Sequence, residues 1–406
     1  MNILLVCTEK LPVPYIRGGA IQTYIYSILP YLKREHEITV FSIADQDLPD
    51  REIKDNICYE RTTADTSEEY YQAVAKFVEG KNFNWIVIYN RPKYVSLVAK
   101  AAPNSRFLLS MHNEMFHAKK IEPQEAIKCL ERVEKVVTVS KFIADGIAKL
   151  FPEYKHKLQP VYAGVDLKRF QPRWTEGVKE KREAMLATHG LEGKQVVLCV
   201  GRLTDKKGPH LLISAIAKVI EKHPSAVLLL VGSKWYGNNK ENDYVREIKA
   251  EAEKLGQAVQ LTGFIPPSEV ADYFLLGDLF VCASQWEEPL ARVHYEAMAT
   301  GLCIITTARG GNPEVIIPGK NGIVISDYDN PDAFATEIDY LLSKPNKSEK
   351  MGITGRQIAE LHYSWSRVAW DILSIINDSK SKSLETVGVI EQDKSASTYP
   401  ASLSCS

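Results

Sequence analysis

The chain has 406 residues, 45% hydrophobic and 25% charged, with 50 basic residues against 51 acidic ones. That length fits two or three domains with ample core, and the even charge balance carries none of the global basic surplus of a nucleic-acid binder. The longest apolar runs, such as 196–200 and 226–231, fall far short of the roughly 18 residues of a membrane span. The start MNILLVCTEK lacks the basic region of a signal peptide, so a cytoplasmic protein is expected.

Short apolar, β-branched runs predict strands at 3–7, 38–41, 57–59, 85–89, 106–110, 136–139 and 159–161. Helical patterns lie between many of them; Ile21, Tyr24, Ile25, Ile28, Leu29 and Leu32 recur at 3.6-type spacing. The segment 164–171, AGVDLKRFQP with its flanking residues, combines turn residues with a proline and marks a boundary. The charged segment 174–193 reads as a linker plus a surface helix. The pattern then restarts, with strands at 195–200, 226–231, 259–261, 279–281, 303–306 and 323–325 and helices at 211–221 and 243–255. Helices at 350–361 and 365–376 close the ordered part. Strand and helix in alternation predict an α/β protein built from two doubly wound parallel-sheet domains. The segment 379–406 has eight serines and scattered apolar residues and reads as a disordered tail, in which ETVGVIE could be a docking strand. The seven cysteines are an odd set with no CxxC pair; Cys7, Cys199, Cys282 and Cys303, inside apolar strand-like runs, read as core hydrophobes, and no disulfide framework is expected.

In open parallel sheets ligands bind beyond the carboxyl ends of the strands, so the loops there carry the chemistry. No GxGxxG follows any strand. In the first loop Gly18 and Gly19 precede a helix starting near Ala20, either as a plain turn or as an anion site at the helix N-terminus. After the strand 195–200, GRLTDKKG sets Arg202 and Lys207 beside a helix opening at Gly208 and Pro209, a pairing that suits a diphosphate. The most specific stretch is QWEEPLARVHYEAMATG. Pro289 predicts the first turn of a helix to about Ala299. Glu288 would stand at its N-terminal edge and Glu296 about 12 Å further along the axis. One extended ligand with an anionic centre, such as a nucleotide-diphosphate sugar, would span them. Glu296 sits among apolar residues and needs a partner, which ribose hydroxyls would supply; Glu287 is expected to face water. The DxD-like pieces at 45–47 and 327–329 read as solvated turns, so no obligatory metal is expected.

With these motifs the chain resembles the retaining family-4 glycosyltransferases of the GT-B fold. EEPLARVHYEAMATG matches their Glu, seven residues, Glu pattern, and RGG near residue 18, GRLTDKKG and ARGGNPE match their other sites in order. The resemblance spans about residues 1–375 and is closest to a bacterial spore-coat subgroup. It implies two Rossmann-like domains facing across a cleft. Residues 1–165 would form the acceptor side, with the helix 363–378 packing back on it, and 170–362 would bind the nucleotide sugar. Gly18 and Gly19 would line the donor diphosphate, Arg202 and Lys207 would bind its phosphates, and Glu288 and Glu296 would hold sugar and ribose hydroxyls. Backbone amides of Leu290, Ala291, Arg292 and Val293 would contact phosphate and sugar. Glu314 would lie near the donor, and Phe264 and Ile265 near the base. His112 matches a first-domain histidine beside the reacting sugar, although by itself it reads equally as a structural residue. Ala291 departs from the glycine of many relatives and adds only a methyl. The resemblance implies a UDP-sugar donor, no cofactor, and an acceptor left open among a glycan, a small molecule and a coat component. It adds the spore coat as a second location. Two alternatives are an inactive structural coat protein with the same fold and a different GT-B enzyme, such as a nucleotide-sugar epimerase.

Overall fold

The computed structural model of the chain describes residues 1–233 and 241–384, the side chains of 378–384 excepted. The segment 385–406, with ETVGVIE and Cys405, lies outside the described residues. The first half runs β1 (Asn2–Val6), α1 (Ala20–Leu32), β2 (Glu37–Ile43), β3 (Arg51–Lys54), β4 (Ile57–Thr62), α2 (Ser67–Val78), β5 (Trp85–Tyr89), α3 (Val95–Ala101), β6 (Arg106–Met111), α4 (Pro123–Arg132), β7 (Lys135–Thr138), α5 (Lys141–Leu150) and β8 (Leu158–Pro160). Then come α6 (Val178–Thr188), β9 (Gln195–Val200), α7 (Pro209–Val219), β10 (Ala226–Val231), α8 (Asp243–Lys254), β11 (Val259–Leu261), α9 (Val270–Leu276), β12 (Leu279–Cys282), α10 (Val293–Thr300), β13 (Cys303–Thr307), β14 (Gly322–Ile325), α11 (Pro331–Leu342), α12 (Pro345–His362) and α13 (Trp365–Leu384).

The strands form two sheets, ordered β3-β4-β2-β1-β5-β6-β7-β8 and β11-β10-β9-β12-β13-β14. Strands such as β5 and β10 are buried throughout, as the core of a helix-covered parallel sheet requires. Each sheet reverses its strand order once, at β1/β5 and at β9/β12, and a doubly wound fold opens its ligand crevice at such points.

Three predicted elements differ. The strand β3 was not expected: three of its four residues are charged. It pairs antiparallel with β4, and Arg51 bonds Glu60 across the pair at 2.9 Å. Charge of this kind blunts an exposed edge, and Asp55 and Asn56, both in the left-handed region, make the two-residue hairpin turn. The helix expected from Pro289 begins only at Val293. Residues 288–291 instead run against the loop after β13: Gly311 N donates to Glu288 O at 2.8 Å and Ala291 N to Asn312 Oδ1 at 3.1 Å. Finally, α13 continues to Leu384, six residues into the expected tail, because neither proline nor glycine interrupts 377–384.

The chain crosses between the halves twice, at 161–170 and at the α12–α13 junction. The crossings touch: Val165 N donates to Tyr363 O at 2.8 Å, and Val165 bridges Ser364 in parallel. Beyond the second crossing α13 packs on α1, with the Tyr24 and Trp365 rings edge to face at 5.5 Å. One hydrophobic cluster continues from Ile25 and Ile28 of α1 through Val161, Val165 and Phe170 to Tyr295 of α10 and Val368 and Ile372 of α13.

Candidate functional site

Two adjoining cavities of about 390 and 310 Å³ lie where loops at the strand ends of both sheets meet. The first half contributes the start of α1 and the loop after β6, and the second half contributes the loops after β9 and β12. The first cavity takes His112, Lys207, Glu288, Leu290 and Ala291 among its walls. The second takes Gly18, Gly19, Phe264, Ile265 and Glu296. Arg202, Arg292 and Val293 line both. Glu288 and Glu296 thus face different ends of one cleft, although the 288–291 segment is not helical. Glu314 lines neither cavity; it is bonded to α5 and Tyr162 of the first half.

In the first cavity Glu288 is almost fully buried. Its carboxylate pairs with the Lys207 ammonium and accepts from Ser284 Oγ at 3.0 Å. Two side chains expected to serve different parts of a ligand therefore bond to each other. Lys207 reaches this point because Asp205–Lys207 forms a 3-10 turn that ends at Gly208, in the left-handed conformation, immediately before Pro209 opens α7. The neighbouring Lys206 ammonium lies 5.5 Å from the Trp286 ring centroid. His112 follows β6, with Nε2 3.1 Å from Ser110 Oγ and its ring edge to face with Tyr24 at 4.8 Å. Burial, with a smaller push from Arg292, drives the imidazole pKa down to about 3, so the ring is neutral at physiological pH.

In the second cavity Gly18 and Gly19 take φ values of 83° and 96°, beyond the ordinary reach of other residues, and deliver the chain into α1. Glu296 finds its partner one helical turn back: Arg292 Nη2 lies 3.3 Å from Oε1. The protein itself thus supplies a counter-charge for this carboxylate. Two further outcomes depart from the sequence reading. Asp45 and Asp47 are not merely solvated, because both bind Arg17, which lines the second cavity; Asp45 accepts its Nε and Nη2 at 3.0 and 2.8 Å. Glu287 accepts from Gly310 N at 2.5 Å and pairs with Arg309 at 2.9 Å, rather than simply facing water. Asp327, by contrast, stands exposed in a turn as expected, accepting from Asn330 Nδ2 at 2.7 Å. Among the described residues no group of three or more His, Cys, Asp or Glu is placed to hold a metal ion, and no helix is long and apolar enough to cross a membrane.

The sequence reading missed the support behind His112. Asn90 follows β5 at φ 57° and is buried. Glu9, after β1, accepts from Arg91 Nε and Nη2 at 2.9 and 2.7 Å and from Ser67 Oγ at 2.8 Å. The available signal was an asparagine directly after an apolar strand, since asparagine tolerates left-handed backbone better than most residues.

The family model described as Glycosyl transferases group 1 matches residues 181–358. The chain is 45% identical over 380 residues to Spore coat protein SA of Bacillus subtilis (strain 168), covering 94% of this chain and 100% of that protein. It is 27% identical over 367 residues to the GDP-mannose-dependent alpha-(1-6)-phosphatidylinositol monomannoside mannosyltransferase of Mycolicibacterium smegmatis, covering 86% and 92%. The fold is similar to the crystal structure of Anabaena Alr3699/HepE in complex with UDP-glucose, with a TM-score of 0.75 at 19% identity over 94% of this chain and 100% of that one.

Proposed function

From a chain that belongs to the group 1 glycosyl transferases and has their GT-B fold, we propose a retaining enzyme that moves a sugar from a UDP-sugar to an acceptor. The observation that carries this reading is the division of the cleft. A cation-lined centre at Arg202 and Arg292 separates a cavity holding Glu288, Lys207 and His112 from one holding Glu296, Phe264 and Ile265. That layout suits a diphosphate in the middle, the sugar in the first cavity and the nucleoside in the second. We assign 1–165 to the acceptor side and 170–362 to the donor side.

In this reading Arg202 and the start of α7 hold the diphosphate and stabilise the charge that grows on it as the sugar leaves. Lys207 divides its charge between the phosphate and Glu288, and Glu288 holds sugar hydroxyls. Glu296 holds the ribose, Phe264 and Ile265 flank the base, and Gly18 and Gly19 let the first half approach the phosphates. The C1–oxygen bond to the diphosphate breaks on the face where the acceptor oxygen bonds to C1. The acceptor proton passes to the leaving diphosphate oxygen. His112, being neutral, offers a hydrogen bond rather than a proton. The cations of the cleft take the place of a metal ion.

Uridine is the base to test first: the Anabaena structure holds UDP-glucose, whereas the mycobacterial relative is named for GDP-mannose. A second reading, a catalytically silent coat component, is favoured by the name of the Bacillus relative. Calorimetry with UDP, GDP and ADP, together with nucleotide release from UDP-glucose, separates them. Binding of a nucleoside diphosphate with turnover is expected. No binding and no turnover with any of them would leave the structural reading standing.

A further inference from the structure

Glu314 belongs to the second half, in the turn Asn312–Val315 after β13. Its carboxylate nevertheless reaches across to the first half. Oε2 accepts from Lys141 N at 2.8 Å and from the Tyr162 hydroxyl at 2.9 Å, and Oε1 accepts from Phe142 N at 2.6 Å. The two amides open α5, where a helix leaves its first N–H groups without internal partners and favours negative charge. Tyr162 stands where the chain leaves the first half, and its carbonyl accepts from Arg367 of α13 at 2.6 Å.

The other side of the same turn grips the segment that carries Glu288. Gly310 N donates to Glu287 Oε2 at 2.5 Å, Gly311 N to Glu288 O at 2.8 Å, and Ala291 N to Asn312 Oδ1 at 3.1 Å. The approach is close enough that a Cβ at Gly310, itself at φ 58°, would collide with Glu288 O. A simple helix cap would need only the first set of bonds. With both sets, one short turn ties α5 and Tyr162 on one side of the cleft to the main chain of 287–291 on the other.

We propose that Glu314 is a positioning residue through which the first half sets the conformation of the 287–291 segment, and so the placement of Glu288 in the first cavity. The inference rests on the donor-site reading above for its catalytic consequence, but the mechanical coupling can be measured without it. Glutamine at 314 keeps the size but offers one acceptor oxygen where two amides now donate to two. Tyr162→Phe removes a single donor and leaves both amide bonds in place.

The test uses the full chain, amide hydrogen exchange, and release of UDP from UDP-glucose. In Glu314→Gln, exchange should rise about tenfold both at 141–142 and across 287–292 and 310–312, the size expected from losing one hydrogen bond to a charged group. kcat for UDP release should fall about tenfold, while KM stays within about threefold. Tyr162→Phe should show the same pattern at smaller amplitude, and it decides the matter if the glutamine variant does not fold. Faster exchange confined to 141–142, with 287–292 protected as in wild type, would overturn the proposal. A wild type that neither binds UDP nor releases it would remove the donor reading, while the exchange pattern would still decide the coupling.

Discussion

The side-chain oxygen of Asn90, at the end of β5, holds the main chain of His112 at the end of β6. It accepts from His112 N at 3.1 Å and from Asn113 N at 3.0 Å. Asn90 can do this because its φ of 57° turns the side chain back over the neighbouring strand end. Asn90→Gly keeps the backbone freedom and deletes the acceptor; Asn90→Ala loses both. Thermal melts should show Asn90→Gly destabilised by about 1–3 kcal/mol from two unsatisfied amides, and Asn90→Ala by about 1 kcal/mol more. If His112 borders the reacting sugar, Asn90→Gly should lower kcat for UDP release while UDP affinity in calorimetry stays as in wild type.

The buried pair of Lys207 and Glu288 gives a two-part prediction. Lys207→Met leaves Glu288 charged with only Ser284 beside it, and should destabilise the protein by about 2 kcal/mol, below the 3–5 of a fully buried pair because Lys207 is partly exposed. Adding Glu288→Gln should restore most of that stability but none of the lost UDP affinity. Urea melts read the first quantity and calorimetry the second. Recovery of both together would mean that Lys207 touches no phosphate.

Glu288 and Glu296 line different cavities, so their glutamine variants should differ in kind. Glu296→Gln should weaken binding of bare UDP by about 1.5–3 kcal/mol, the scale of a hydrogen bond to a charged group. Glu288→Gln should leave UDP affinity nearly unchanged and depress kcat for UDP release. Identical behaviour of the two variants would refute this division of labour.

Acid should destabilise the protein in two stages. Burial opposes ionisation of Glu9, but Arg91 and Ser67 outweigh it and hold its pKa at about 2 against an ordinary 4.5. That stabilisation is complete above pH 4.5 and disappears as pH falls towards 2. His112 falls from 6.5 to about 3, so the unfolded chain takes up its proton first and stability declines as pH drops from 6.5 towards 3. Melting temperature against pH should therefore start to fall below about 6.5. Glu9→Gln should flatten the limb below 4.5, and His112→Asn the limb above it. The rate of UDP release should show no inflection from His112 between pH 5 and 8.

If Arg202, Lys207 and the start of α7 meet the phosphates as proposed, turnover of UDP-glucose should survive dialysis against EDTA. A loss of activity reversed by magnesium or manganese would assign part of that charge to a metal.

The sheet strands were legible because each is an apolar run with turn residues at its ends; β5, β9, β10 and β11 begin and end where the runs do. Elements set by charge or by tertiary contact were not. Arg51–Lys54 looks like a polar turn, and its pairing depends on the residues facing it across the hairpin. Pro289 suits a helix start, but hydrogen bonds from a loop some twenty residues later hold its neighbours out of the helix. Arg202, Lys207 and Glu288 could be picked out because they follow strand ends, and Glu296 because it is a carboxylate among apolar helix residues; the structure brings all four to one cleft. Glu314 resembled them in sequence, yet its partners lie over 150 residues away in the other half, beyond the reach of local pattern. The pairing of Arg17 with Asp45, across 28 residues, is likewise set by tertiary contact rather than local pattern.

The packing of α13 on α1 has a consequence for the order in which the protein is made. Part of the apolar surface of α1, at Tyr24, is covered by Trp365 at the start of α13. On the ribosome, the first half emerges with that part of α1 uncovered, and it stays so while some 200 further residues are translated. It therefore reaches its finished state only after the second half has been made and the helix that completes it has followed. A message cut short before codon 365, or a ribosome stalled there, would release a first half with an exposed greasy flank. Such a product is a natural target for chaperones and proteases, even if every strand of its sheet were present.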